Sequence, residues 1–203
     1  MAIKKAPATA VFQFHIELRD IQPPIWRRIQ VANISMNALH ECIQTAMGWT
    51  NSHLHEFEIE GDRYGDPELL NDGWNDDIDD ERDTRSITLD SLLIRAEKGF
   101  QFKYIYDFGD YWQHLITFEG TFPAKPKIKY PLCLEGARAC PPEDVGSTPG
   151  YEEFLQALAD PNHEDHEHMQ EWSGGSFDPE HFSSKGATKC MQQGLPDWRD
   201  FRV

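Results

Sequence analysis

The stretch FQFKYIYDFGDYWQHLITFEG, residues 100–120, decides the fold. Phe100, Phe102, Tyr104, Tyr106 and Phe108 recur at every second position, and beyond DFGD so do Trp112, His114, Ile116 and Phe118. A period of two marks a half-buried strand, and two such runs joined by a few residues containing glycine mark a hairpin. YDFGDYWQH, Tyr106 to His114, is therefore first of all a turn between two aromatic-faced strands, although it also carries Asp107, Asp110 and His114.

The same patterning extends outward from this hairpin. VFQFHIEL (11–18) alternates, and IWRRIQV (25–31) alternates again after RDIQPP, so an antiparallel pair opens the fold. SMNALHECIQTAMGW places Met36, Leu39, Ile43, Ala46 and Met47 at helical spacing, with Ser35 as N-cap and Gly48 just past the end. HLHEFEIEG reads as a strand with His53, His55, Phe57 and Ile59 on one inward face and Glu56, Glu58 and Glu60 on the other. ITLDSLLIRAEKG, GYEEFLQALADP and HEDHEHMQEW read as helices, the first capped by Asp90 and the second stopped by Pro161. The expectation is an α+β fold: a mixed, mainly antiparallel sheet with helices packed on it, forming one compact domain over residues 1–203 with a core from about 11 to 182. Residues 72–85, where Asp72–Asp83 carries seven acids against one arginine, read as an acidic surface loop, and 183–203 as a C-terminal tail.

Composition narrows the function classes. A formal charge of -16 repels a phosphate backbone, which argues against non-specific nucleic-acid binding. No apolar run approaches the roughly 20 residues that span a bilayer, and the first residues lack the apolar core of a signal peptide, so a cytoplasmic protein with no membrane association is expected. Four cysteines in 203 residues suit reduced thiols, or a metal held by some of them, better than a disulfide framework. No G-x-S-x-G elbow, Walker loop or G-x-G-x-x-G fingerprint occurs, and DFG lacks the upstream motifs that give it meaning in a kinase.

Three constellations carry chemistry. His53, His55, Asp107, Asp110, Trp112 and His114 form a candidate pocket if the strands that bear them are neighbours. Imidazoles and carboxylates converging at one sheet end suit a zinc, manganese or iron ion, whereas aspartates beside a glycine turn also serve as caps of backbone N–H groups. Cys133 and Cys140 with His163 and His166 form a candidate zinc set, since zinc takes two thiolates and two imidazoles. Their cysteine spacing exceeds that of a zinc knuckle, and HEDHEH does not satisfy H-E-x-x-H. In PPIWRRIQV, Arg27 and Arg28 lie on opposite strand faces, so one points inward and seeks a carboxylate, while Trp26 offers a stacking surface. Lys125, Lys127 and Lys129 form a small basic cluster.

The blocks PPIWRRIQV, LHECIQTAMGW, HLHEFEI, YDFGDYWQH, LCLEGARACPPEDVG, GYEEFLQALADPNHEDHEHM and FDPEHF, in this order, resemble the plasmid pRiA4b Orf-3-like family over Phe12 to Phe182. The resemblance implies a single α+β domain, a link to plasmids or mobile elements, and no assigned biochemical activity. It has one departure, Ser147 in GSTPGY, where the family pattern continues with a second glycine, the residue that best tolerates positive φ. The reading that emerges is a binding or accessory protein whose His/Asp cluster receives a small ligand or a protein partner. The alternatives are a metal-dependent hydrolase acting through that cluster and a DNA-associated regulator.

Overall fold

The alternating runs pair into a single eight-stranded sheet in the computed structural model, which describes residues 10–65 and 81–195. The strands are β1 (Ala10–Leu18), β2 (Ile25–Val31), β3 (His55–Ile59), β4 (Asp62–Gly65), β5 (Glu81–Asp83), β6 (Gln101–Tyr106), β7 (Trp112–Pro123) and β8 (Leu132–Ala137). Their order is β5-β4-β3-β6-β7-β1-β2-β8. Every adjacent pair is antiparallel except β4 with β5, so the sheet is mixed and mainly antiparallel. The helices are α1 (Met36–Met47), α2 (Leu89–Leu92), α3 (Ser147–Ala159), α4 (His166–Trp172) and α5 (Ser184–Gln193). The acidic run from Asp72 lies, up to residue 80, outside the described residues.

One sheet face builds the core. Phe12, Phe14, Ile16 and Leu18 of β1, Phe102, Tyr104 and Tyr106 of β6, and Trp112, Ile116 and Phe118 of β7 are all buried and join α1 in one cluster. The β6–β7 register puts Tyr106 opposite Trp112 and Tyr104 opposite His114, which aligns the polar ends of the aromatic ladder at one end of the sheet. Helix α1 crosses that ladder with Met36, Leu39 and Ile43 inward. Its ends are as the sequence dictates: Ser35 Oγ accepts from Ala38 N at 3.2 Å, and Gly48 takes the left-handed φ of 104°. In α2 the N-cap position falls to Thr88, two residues before Asp90, and Thr88 Oγ1 donates to the Asp90 carboxylate.

Helix α5 lies inside the stretch that reads as a polar tail, and it closes an exposed edge. Thr188 Oγ1 accepts from Cys133 N at 2.9 Å, and Gln192 Nε2 donates to the carbonyls of Lys129 and Pro131 at 2.7 and 3.0 Å. An unpaired β8 would offer open N–H and C=O groups to another chain; Thr188 meets those of Cys133, and Gln192 the carbonyls just before the strand. Only Ala187 and Met191 of α5 are buried, which is why its apolar signal is short.

Arg27 is the inward arginine of β2, only 2 % exposed, and it has no carboxylate partner among the described residues. It instead serves backbone carbonyls: Nε donates to Ala46 O, Nη1 to Trp26 O and Ala137 O, and Nη2 to Arg138 O, all at 2.8–2.9 Å. The Phe182 ring lies 4.2 Å from its guanidinium carbon. A guanidinium has five donors in a plane, and here one side chain ties the end of α1, β2 and the end of β8 together. On the opposite sheet face Arg28 pairs with Glu119 at 2.8 Å and with Glu135, and lies over Trp26.

Candidate functional site

Three loops meet at the end of the sheet where the β6–β7 turn lies. The first, 48–54, follows α1; the second is the turn 107–111; the third, 140–146, is CPPEDVG, leading into α3. Their mutual hydrogen bonds explain why each has its composition. Trp49 Nε1 donates to Pro141 O at 2.9 Å, Glu143 Oε1 accepts from Thr50 N at 2.8 Å, and Tyr106 Oη accepts from Ser52 N at 3.0 Å while donating to Glu143. Asp110 Oδ2 accepts from Gly146 N at 3.0 Å. Burial and the Glu143 carboxylate together raise the Tyr106 phenol well above its ordinary pKa, so it stays a donor to that carboxylate.

Asp107 does two things. Its Oδ1 accepts from Gly109 N at 2.8 Å, the expected cap of the turn, while its Oδ2 faces His53 Nε2 at 3.7 Å. Asp144 Oδ1 stands 3.0 Å from the same nitrogen. One ligand atom from each of His53, Asp107 and Asp144 lies within 4.8 Å of the other two. His53 Nε2 is shut off from solvent yet makes no aligned hydrogen bond, even to the carboxylate 3.0 Å away.

The other members of the predicted pocket go elsewhere. His53 precedes β3, which starts at His55, so the two histidines do not share a strand face. His55 is buried and stacks on His40 of α1, with ring centroids 3.4 Å apart and planes 5° from parallel. His40 in turn bonds Tyr104 Oη through Nδ1 and Asn51 Oδ1 through Nε2, both at 2.8 Å, and Gln44 donates to the same Tyr104 hydroxyl. His114 is wholly buried beneath this layer, with Nδ1 at 3.3 Å from Tyr104 O and the Trp49 ring edge-on at 5.3 Å. Burial holds the His114 pKa down to about 4 and pulls that of His40 well below the ordinary value, the latter with help from His55. Trp112 packs on Trp49 at 6.2 Å, in the core below the loops. Asp110 keeps to the Gly146 amide.

Cys133, Cys140, His163 and His166 are not gathered. Both thiols are buried, pushed up to about 11 and about 12 by that burial, and Arg27 is the charge that counters it. His166 Nδ1 contacts Ala157 O at 2.8 Å and His163 Nδ1 accepts from Asp165 N at 3.1 Å. Among the described residues the His53, Asp107 and Asp144 group is the one set of three metal-ligating side chains brought together.

Beside that group opens a cavity of about 480 Å³, lined by Trp49, Pro141, Glu143, Asp144, Trp172 and Phe177 among others. Asp144 and Trp172 also border a second cavity of about 200 Å³ against α3 and α4. Sequence reasoning missed Glu143, Asp144, His40 and Gln44. For the last two a signal exists, since two polar residues four apart stand on the apolar stripe of α1.

Ser147 holds φ at 66° directly after Gly146 at 94°. A side chain in the left-handed region costs more than the chain entropy that a glycine loses. Ser147→Gly is therefore expected to raise stability by about 0.5–1 kcal/mol, read as a higher urea midpoint with an unchanged slope.

Comparison with known proteins agrees with this architecture. The model of the family described as plasmid pRiA4b ORF-3-like protein matches residues 10–186. An uncharacterized protein, y4hQ, of Sinorhizobium fredii is 44% identical over 168 residues, covering 82% of each chain. The crystal structure of MM3350, a protein of unknown function from Methanosarcina mazei Go1, superposes with a TM-score of 0.76 at 37% identity, covering 87% of this chain and 96% of that one. Among the described residues no helix is long and apolar enough to cross a membrane.

Proposed function

The chain belongs to the plasmid pRiA4b ORF-3-like family, and we propose that it is a cytoplasmic binding or accessory protein, linked to plasmids or mobile elements, whose ligand sits where the three loops meet. The cavity of about 480 Å³ carries this reading. Its wall combines Trp49, Trp172 and Phe177 with the carboxylates of Glu143 and Asp144, and includes no lysine or arginine. Aromatic faces and carboxylates together attract cationic groups, so the favoured ligand carries an ammonium or guanidinium group, either free or as a side chain of a protein partner. Trp172, 43 % exposed, is the member able to close over such a group. A DNA-associated role draws less support, because Arg28 is already engaged by Glu119 and Glu135.

Amide NMR titration of the full chain with arginine and with spermidine tests this. Saturable shifts confined to residues 47–49, 140–144 and 172–177, abolished by Trp172→Ala, are the expected result. Shifts that never saturate at millimolar ligand, or that survive Trp172→Ala unchanged, would remove the reading.

A further inference from the structure

We infer that His53, Asp107 and Asp144 form a site for a first-row divalent cation, zinc or manganese by its ligand set, which joins the turn of the β6–β7 hairpin to the CPPEDVG loop. Two ligands each about 2.1 Å from one ion stand about 3.0 Å apart at octahedral angles and about 3.4 Å apart at tetrahedral ones. The separations from His53 Nε2, 3.0 Å to Asp144 Oδ1 and 3.7 Å to Asp107 Oδ2, are close to edges of a coordination polyhedron, and the two aspartates, within 4.8 Å of each other, close on the ion through the exposed Asp144.

An independent feature supports a ligand at this point. His53 Nε2 is sealed from solvent and has no hydrogen-bond partner, although a carboxylate oxygen stands 3.0 Å away. An ordinary histidine–aspartate pair would align its N–H on that oxygen. A nitrogen within 3.7 Å of two carboxylates but aligned on neither is positioned as a lone-pair donor to an ion shared by all three. The two carboxylates also lack a protein counter-charge, since no lysine or arginine pairs with Asp107 or Asp144 among the described residues. A divalent ion balances both.

The supports are of unequal stiffness, which sets what each ligand contributes. Asp107 is held by its own bond to Gly109 N and is only 10 % exposed at its side chain, so it is a fixed ligand. Asp144 is 71 % exposed at its side chain and also lines the cavity, so it is the ligand that binding orders. One imidazole and two carboxylates leave further coordination positions open. The nitrogen ligand favours zinc or manganese over magnesium and calcium, which prefer all-oxygen shells. The site shares Asp144 with the cavity of the function proposed above, whereas Trp172 lines the cavity and is no ligand to the ion, so Trp172 is the residue that separates the two.

The test is calorimetry of chelator-treated full-length protein with zinc, manganese and magnesium chlorides, alongside Asp144→Asn, His53→Gln and Trp172→Ala. One equivalent of zinc or manganese is expected to bind, with magnesium far weaker, and Asp144→Asn and His53→Gln, which remove direct ligands, are each expected to weaken binding by at least the roughly 10–100-fold that loss of an outer-shell partner brings. Because Asp144 is exposed, its variant should fold as the parent does, checked by circular dichroism. Trp172→Ala should leave metal affinity unchanged, so a loss of arginine binding with retained metal binding separates the two proposals. Absence of saturable zinc and manganese binding, or equal affinity in Asp144→Asn and the parent, would overturn the site.

Discussion

Replacing Arg27 with methionine is expected to lower stability by roughly 3–5 kcal/mol, because each buried carbonyl left without a donor costs about 1–3 kcal/mol and the penalties of neighbours overlap. Methionine conserves much of the apolar stem, so the loss isolates the guanidinium rather than a cavity. Four carbonyls lose a donor at once: Ala46 at the end of α1, Trp26 on β2, and Ala137 and Arg138 at the end of β8. Phe182 loses the cation on its ring face. Urea unfolding at pH 7.5 should show a lower midpoint with the slope preserved. Arg27→Lys should fall between the two, since an ammonium has only three donors and lacks the planar fork. A loss below about 1 kcal/mol in the methionine variant would mean that water replaces the guanidinium, and that Arg27 does not pin the sheet to the helix.

Why Arg27 was only half legible in the sequence also explains what else was. Alternation in IWRRIQV puts one of Arg27 and Arg28 inward, and the structure shows it to be Arg27, on the face of Ile25 and Ile29. Its partners were not legible, because backbone carbonyls that end up free at an element's terminus leave no trace in residue identity. The expectation of a carboxylate came from charge alone. The strands, α1 and the hairpin turn were readable because each rests on local periodicity and on caps such as Ser35 and Gly48. Helix α5 was not, since a helix that lies on a sheet edge buries only two side chains and meets Cys133 and the residues before β8 through polar Thr188 and Gln192. The site shows the same division. Asp107 and His53 could be named because they stand in unusual local strings, but Asp144 joins them only through the register of strands and the path of a loop 37 residues further on. His114 was drawn in by its letters and left out by its register, since position 114 faces Tyr104 in the core rather than the turn.

That register makes His114 a sensor of acid rather than a ligand, and it leads to the second large effect. With its pKa held down to about 4 by burial against an ordinary value near 6.5, the His114 ring stays neutral in the folded protein while the unfolded chain takes up a proton. Above pH 6.5 both states are neutral at this position and it contributes nothing to the pH dependence. Between pH 6.5 and about 4 the unfolded state binds one more proton than the folded one, so stability falls by about 1.4 kcal/mol per pH unit, or about 3 kcal/mol across the window. His40, buried and facing His55 and Asn51, is shifted in the same direction and adds to the fall. The backbone carbonyl of Tyr104 and the Trp49 ring offer nothing that would welcome a cation enough to offset this, and Arg27 opposes it. Urea midpoints at pH 7.5, 6, 5 and 4.5 should therefore drop steadily. His114→Phe, whatever its stability at pH 7.5, should show a shallower dependence by about one proton. An unchanged slope in that variant would assign the acid sensitivity to other groups, with His40 the next to replace. The carboxylate of Glu119, partly desolvated but held low by Arg28 and Gln13, is protonated only toward the acid end and sharpens the fall there.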